Sequence, residues 1–136
     1  MKKISDIKVG DSQFIQKAFT QEDVENFAKL SLDNNPVHLD EEFAANSLFK
    51  RRIVHGMLYS SLISAVLGTK LPGPGSIYMK QEFKFLKPVY TEDMIKAVCT
   101  VKSINYEKSV VEFTTQCFKN DTELVIDGFA LIKMSK

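Results

Sequence analysis

Asp33, Asn35, Pro36 and His38 fall within ten residues, SLDNNPVHLD from Ser31 to Asp40, that hold one of the two histidines in the chain. A carboxylate and an imidazole are side chains suited to moving protons near neutral pH. Asn, Asp and Pro each favour turns for steric or hydrogen-bonding reasons, so a helix-ending turn explains every residue type here except the histidine. Residues five apart on an ideal helix point about 140° apart, and Pro36 interrupts a helix at this point in any case. Convergence of Asp33 and His38 on one water therefore rests on the shape of an irregular turn.

Gly56 and Ser64 are further candidates. Gly56 either relieves strain as a helix N-cap or lets a carbonyl oxygen approach a backbone N–H at the positive end of the dipole, where an enolate would be stabilised. Ser64, eight residues on, either bonds back to its own helix or supports a neighbouring polar group. No metal site is expected. His38 and His55 are 17 residues apart without HxxxH or HExxH spacing, and Cys99 and Cys117 form no CxxC pair.

The elements that must position these residues follow from patterning. Thr20 and Asp23 resemble a capping box, and Val24, Phe27 and Ala28 recur at helical spacing, so a helix is expected from about Gln21 to Leu32, closed off by Pro36. A short strand is expected over 12–19. The stretch Ile53 to Thr69 holds no Lys, Arg, Asp or Glu. It is too short and too rich in serine and glycine for a membrane span and reads as a helix buried in a core, opened by Gly56 and ended by Gly68 with Pro72. Alternation over 76–86, 94–103, 109–118 and 124–133 predicts four strands, the first with Ile77, Met79, Phe83 and Phe85 on one face. Loops this short join antiparallel neighbours. The class is therefore α+β, with a curved sheet covering the uncharged helix.

At 136 residues the chain fits one domain, 1–136. Eighteen basic residues nearly balance 17 acidic ones, so no nucleic-acid or membrane partner is indicated. Lys50, Arg51 and Arg52 form the one dense basic cluster. MKKISDIKVG lacks an apolar signal region, and the sparse cysteines fit a reducing compartment, so a cytoplasmic location is expected.

SLDNNPVHLDEEFAA resembles the signature of the MaoC-like (R)-specific enoyl-CoA hydratases, in which an acid, Asn-Pro, a histidine and an alanine-containing helix follow in that order. IVHGMLYSSLISAVLG looks like the central helix of the same family, and LPGPGSIYMKQEFKFLKPV like its following loop and first long strand. The resemblance implies a hotdog fold, an antiparallel sheet of about five strands wrapped round a long central helix, and a homodimer. It implies reversible hydration of a trans-2-enoyl-CoA to an (R)-3-hydroxyacyl-CoA, with coenzyme A as part of the substrate and no separate cofactor. Asp33 and His38 would then be catalytic, the Gly56 amide would face the thioester oxygen, and Ser64 and Asn35 would support them. The acyl chain would lie beside the helix, with Leu58, Leu62, Ile77 and Met79 as candidates to line its slot. A 3-hydroxyacyl-acyl-carrier-protein dehydratase and a non-catalytic acyl-thioester-binding module are the alternatives. Three residues depart from the family pattern. Leu32 stands where glycine or a polar residue is frequent before the acid, Glu92 where glycine is frequent, and Arg52 where proline often precedes IVHG.

Overall fold

Thr20 fixes the start of the first helix: its hydroxyl accepts the Asp23 N–H at 3.1 Å, while the Asp23 carboxylate accepts the Thr20 N–H at 3.0 Å. This reciprocal cap satisfies two donors that the helix leaves unpaired. In the computed structural model, which describes residues 1–136, the capped helix is α1 (Gln21–Ser31), preceded by strand β1 (Ser12–Ala18). Leu32 ends it in the left-handed region, with φ of 69°.

Two short helices follow: α2 (Pro36–Leu39), which the sequence pattern does not predict, and α3 (Glu41–Ala45), where the resemblance implies an alanine-containing helix. Pro36 thus opens a helix and does more than close one. Asn35 is extended and its side chain accepts the Val37 N–H at 3.2 Å, leaving Pro36 the first helical position, where its missing N–H has no consequence. Asp40 caps α3 in the same manner.

Helix α4 (Gly56–Thr69) has 14 residues and no charged side chain. Gly68 does not terminate it. The helix runs one residue further, and the Lys70 N–H still reaches the Val66 carbonyl at 2.9 Å. A single exposed glycine weakens a helix without breaking its hydrogen-bond ladder.

Strands β2 (Ile77–Phe85), β3 (Met94–Asn105), β4 (Val110–Lys119) and β5 (Glu123–Lys133) join β1 in one antiparallel sheet of order β1-β3-β4-β5-β2. Ile95, Ala97, Cys99 and Val101 of β3, with Val111, Phe113 and Cys117 of β4, point inward and form one core with Ile63, Val66 and Leu67 of α4. Both cysteines are free, and burial pushes their thiols up to about 12, so they behave as small hydrophobic groups. Tight pairing at the β2 edge requires Gly128, where a Cβ would fall 1.9 Å from the Glu82 carbonyl oxygen.

Strand β2 corrects the expectation of a buried face. Ile77 is 58% exposed and Met79 55%, and only Phe83 packs against the core. The strand lies at the sheet edge, and a bulge between Tyr78 and Lys80 breaks its alternation.

Glu92 also adopts a left-handed conformation, with φ of 70°, so both residues that replace a frequent glycine sit where glycine is the unstrained choice. A side chain there costs roughly 1–2 kcal/mol, offset in part by the chain entropy that glycine would lose on folding. Glu92→Gly is expected to stabilise the fold by about 0.5–1 kcal/mol in denaturant titration.

Candidate active site

The turn between α1 and α2 is built by short-range bonds that run toward His38. The Ser31 hydroxyl donates to the Phe27 carbonyl at 2.7 Å and accepts the Asp33 N–H at 3.1 Å. The Asp33 carboxylate accepts the Asn35 N–H at 3.2 Å, and Asn35 caps α2. Asn35 thus fixes the backbone of this turn. One turn on, His38 is only 7% exposed. Its Nδ1–H donates to the Ile53 carbonyl at 2.9 Å. A carbonyl only accepts, so in the neutral ring the lone pair sits on Nε2.

The segment before α4 is tied down on both sides. The Ile53 N–H donates to the Val37 carbonyl at 3.3 Å and the Val54 N–H to the Val89 carbonyl at 2.8 Å. Arg52 adds bonds to the Leu39 carbonyl at 3.4 Å and to Glu41 at 2.9 Å, so the residue that replaces a frequent proline links this segment to α2 and α3. Gly56 then presents a first-turn N–H with no acceptor in the chain. A Cβ on Gly56 would fall 2.7 Å from Cε1 of Phe85, which crosses the helix start.

Asp33, His55 and Gly56 line a groove of about 520 Å³, otherwise mostly apolar, with Ile53, Tyr59, Phe85 and Leu86 among its walls. Of the residues expected to line an acyl slot, none borders this groove: Leu62 is core, and Ile77 and Met79 lie exposed on the edge strand. Ser64 is exposed on α4, its hydroxyl has no hydrogen-bond partner in the chain, and it lies outside the groove.

His55 is not among the expected site residues, and its spacing of 17 from His38 speaks only against a metal site. The fold brings the two rings together, stacked with centroids 3.8 Å apart and 26° between planes. Asp33, His38 and His55 each offer a potential ligand atom within 4.8 Å of the others, a set able to take a transition metal if their free nitrogens converge. The one local sign in the sequence was a polar ring directly before a helix-opening glycine, in a stretch otherwise without charge.

Burial of His38 holds its imidazole below the ordinary value of 6.5. The Ile53 bond opposes this, the neighbouring His55 adds to it, and Asp33 opposes it. A neutral His38 beside an exposed carboxylate and an unpaired helix-start amide can exchange protons with a bound molecule while a developing oxyanion is stabilised.

The strand order, the central helix and this site define a hotdog-fold protein of hydratase type. The MaoC like domain matches residues 8–121, and the chain belongs to the MaoC-like family. It is 46% identical over 127 residues to an (R)-specific enoyl-CoA hydratase of Rhodospirillum rubrum, covering 93% of this chain and 88% of that one. The solved (R)-hydratase from A. caviae involved in PHA biosynthesis superposes with a TM-score of 0.91 at 41% identity, covering 94% of this chain and 97% of that one. A mitochondrial 3-hydroxyacyl-[acyl-carrier-protein] dehydratase of Arabidopsis thaliana is 39% identical over 127 residues, 91% of this chain and 75% of that one. These relatives are hydro-lyases by name.

The unfolded chain binds a proton on His38 near pH 6.5, whereas the folded chain resists doing so until lower pH. Folding stability is therefore expected to fall as pH drops below about 6.5, down to the folded value. In His38→Gln this part of the pH dependence should be absent when denaturation midpoints of the two proteins are compared across pH 5 to about 8.

Proposed function

We propose that this chain is an (R)-specific enoyl-CoA hydratase that adds water reversibly across a trans-2-enoyl-CoA to give the (R)-3-hydroxyacyl-CoA. The observation that carries the reading is the convergence of Asp33 and His38, an atom of each within 4.8 Å, with Asp33 lining the same groove as Gly56 and His38 set behind it against the His55 ring. Asp33 and His38 hold the water between them. As its oxygen bonds to C3, the pair takes one proton, and the C2–C3 π electrons move toward the thioester carbonyl. The Gly56 N–H and the positive end of α4 stabilise the enolate-like oxygen. The pair then returns a proton to C2, so one H and one OH are added and the enzyme ends in its starting state. The two groups act as a coupled acid–base unit. The acyl thioester needs no group beyond its own coenzyme A for this chemistry.

The acyl-carrier-protein dehydratase reading is favoured by the Arabidopsis relative. An acidic carrier calls for a basic docking surface, and here that surface is largely committed. Arg51 lies 3.9 Å over the Tyr90 ring and Arg52 bonds Glu41, which leaves Lys50 alone. This favours the coenzyme A thioester.

A second copy of the chain completes the assembly in this reading. Strand β2 ends the sheet with Ile77, Tyr78 and Met79 exposed, an edge that invites pairing. On α4, Met57, Ser61, Ser64 and Gly68 form an exposed, uncharged stripe at spacings of four, three and four. A homodimer covers both features. Light scattering on a sizing column is expected to give twice the chain mass, and Met79→Lys on the β2 edge should shift it toward monomer.

Incubation with a short trans-2-enoyl-CoA is expected to consume the conjugated thioester and yield the (R)-alcohol, with the carrier-protein thioester turned over less efficiently. An (S)-product or release of free coenzyme A overturns the assignment. Asp33→Asn and His38→Ala should each lower kcat by roughly 100-fold or more with the fold intact by circular dichroism.

A further inference from the structure

His55 is the most completely enclosed polar side chain near the groove, 1% exposed, and the proton-transfer scheme does not use it. Its ring meets Asp33 and His38, and its backbone runs directly into Gly56. The Nε2 atom lies 3.1 Å from the Asp33 backbone carbonyl, which can only accept, so Nε2 carries the proton and donates. One face stacks on His38 at 3.8 Å, and the Phe27 ring meets His55 at 4.9 Å with 66° between planes. The backbone of His55 is the N-cap of α4, so its next peptide N–H is that of Gly56.

These contacts matter because the Asp33 segment has little else to hold it. Asp33 and its neighbours Leu32, Asn34 and Asn35 are exposed. The bonds within 31–37 shape the turn internally but do not anchor it to the core. The His55–Asp33 bond spans 22 residues and joins the turn to the start of the buried helix. His55 Nδ1 is buried without a partner. A buried polar nitrogen left unpaired is costly and would be replaced by an apolar ring if packing were its only task.

We propose that His55 is a positioning residue: through its Nε2–H bond to the Asp33 carbonyl it sets the Asp33 carboxylate against His38 and the Gly56 amide. It touches no reacting atom. The inference rests on the hydratase reading and deepens it by adding a third side chain to the machinery.

Three variants test it in one steady-state assay with a short trans-2-enoyl-CoA, with thermal unfolding followed on each. Glutamine places a terminal N–H where His Nε2 stood, asparagine is too short to reach the Asp33 carbonyl, and leucine fills space without a donor. His55→Leu and His55→Asn are expected to lower kcat by 30-fold or more with KM within threefold of the wild type. His55→Gln should recover kcat to within about fivefold of the wild type, a split that a purely space-filling ring would not produce. Wild-type kcat in His55→Leu, or equal losses in the glutamine and asparagine variants, overturns the proposal. If His55→Leu does not fold, the comparison of glutamine with asparagine decides alone. A wild-type protein that hydrates no enoyl thioester overturns both readings, whereas an active wild type with an indifferent residue 55 overturns this one only.

Discussion

Fourteen residues of α4 carry no charge, and a helix of that kind is stable in water only when most of its circumference is covered. One sheet can do so only by curving around it. The inward rows of β3 and β4 meet Ile63, Val66 and Leu67, and Phe19 and Ile15 close in from the β1 side. Burying the helix also fixes where its ends lie. Its N-terminus arrives beside the α1–α2 turn, and the amide of Gly56 is delivered there by core packing with no dedicated loop.

The opposite wall of the site is held by polar contacts. The segment 52–55 bonds to α2 through Ile53 and Arg52, to the loop before β3 through Val54, and to the Asp33 carbonyl through His55. His38 in turn donates to Ile53. Each bond crosses between pieces far apart in sequence, and together they make the acid, the imidazole and the helix start one unit. Such crosslinks in a desolvated setting are worth more than exposed ones, and they hold these groups in fixed relative positions.

The sequence made some of this legible and concealed the rest, for physical reasons. Helix α1 was readable because Thr20 and Asp23 make a local cap, and β3, β4 and β5 because alternation is a local record of burial on one face. Helix α2 escaped because a single turn leaves no periodicity, and its two signals, Asn35 and Pro36, are also turn residues. The exposure of β2 escaped because edge position depends on strand order, which no stretch of ten residues contains. Asp33, Asn35, His38 and Gly56 were nameable from residue type and family resemblance, yet only the fold shows the first three joined by one capped turn. His55 went unnamed because its spacing of 17 from His38 bears only on a metal motif, and separation in the chain does not show that two segments meet in space.

The left-handed residues sharpen this point. Leu32 and Glu92 have φ of 69° and 70°, and each ends or turns a segment next to a working part. Leu32 directly precedes Asp33. Glu92, whose N–H donates to the Phe19 carbonyl at 2.8 Å, holds the approach to β3 against the end of β1. A side chain in this conformation is strained, so the surrounding structure must enforce it. At Leu32 the flanking bonds are local: its carbonyl accepts the Asn34 N–H at 3.1 Å, and the Asp33 N–H reaches the Ser31 hydroxyl. Leu32 and the buried His55 thus flank the same short turn, one next to Asp33 in the chain and the other bonded to its carbonyl.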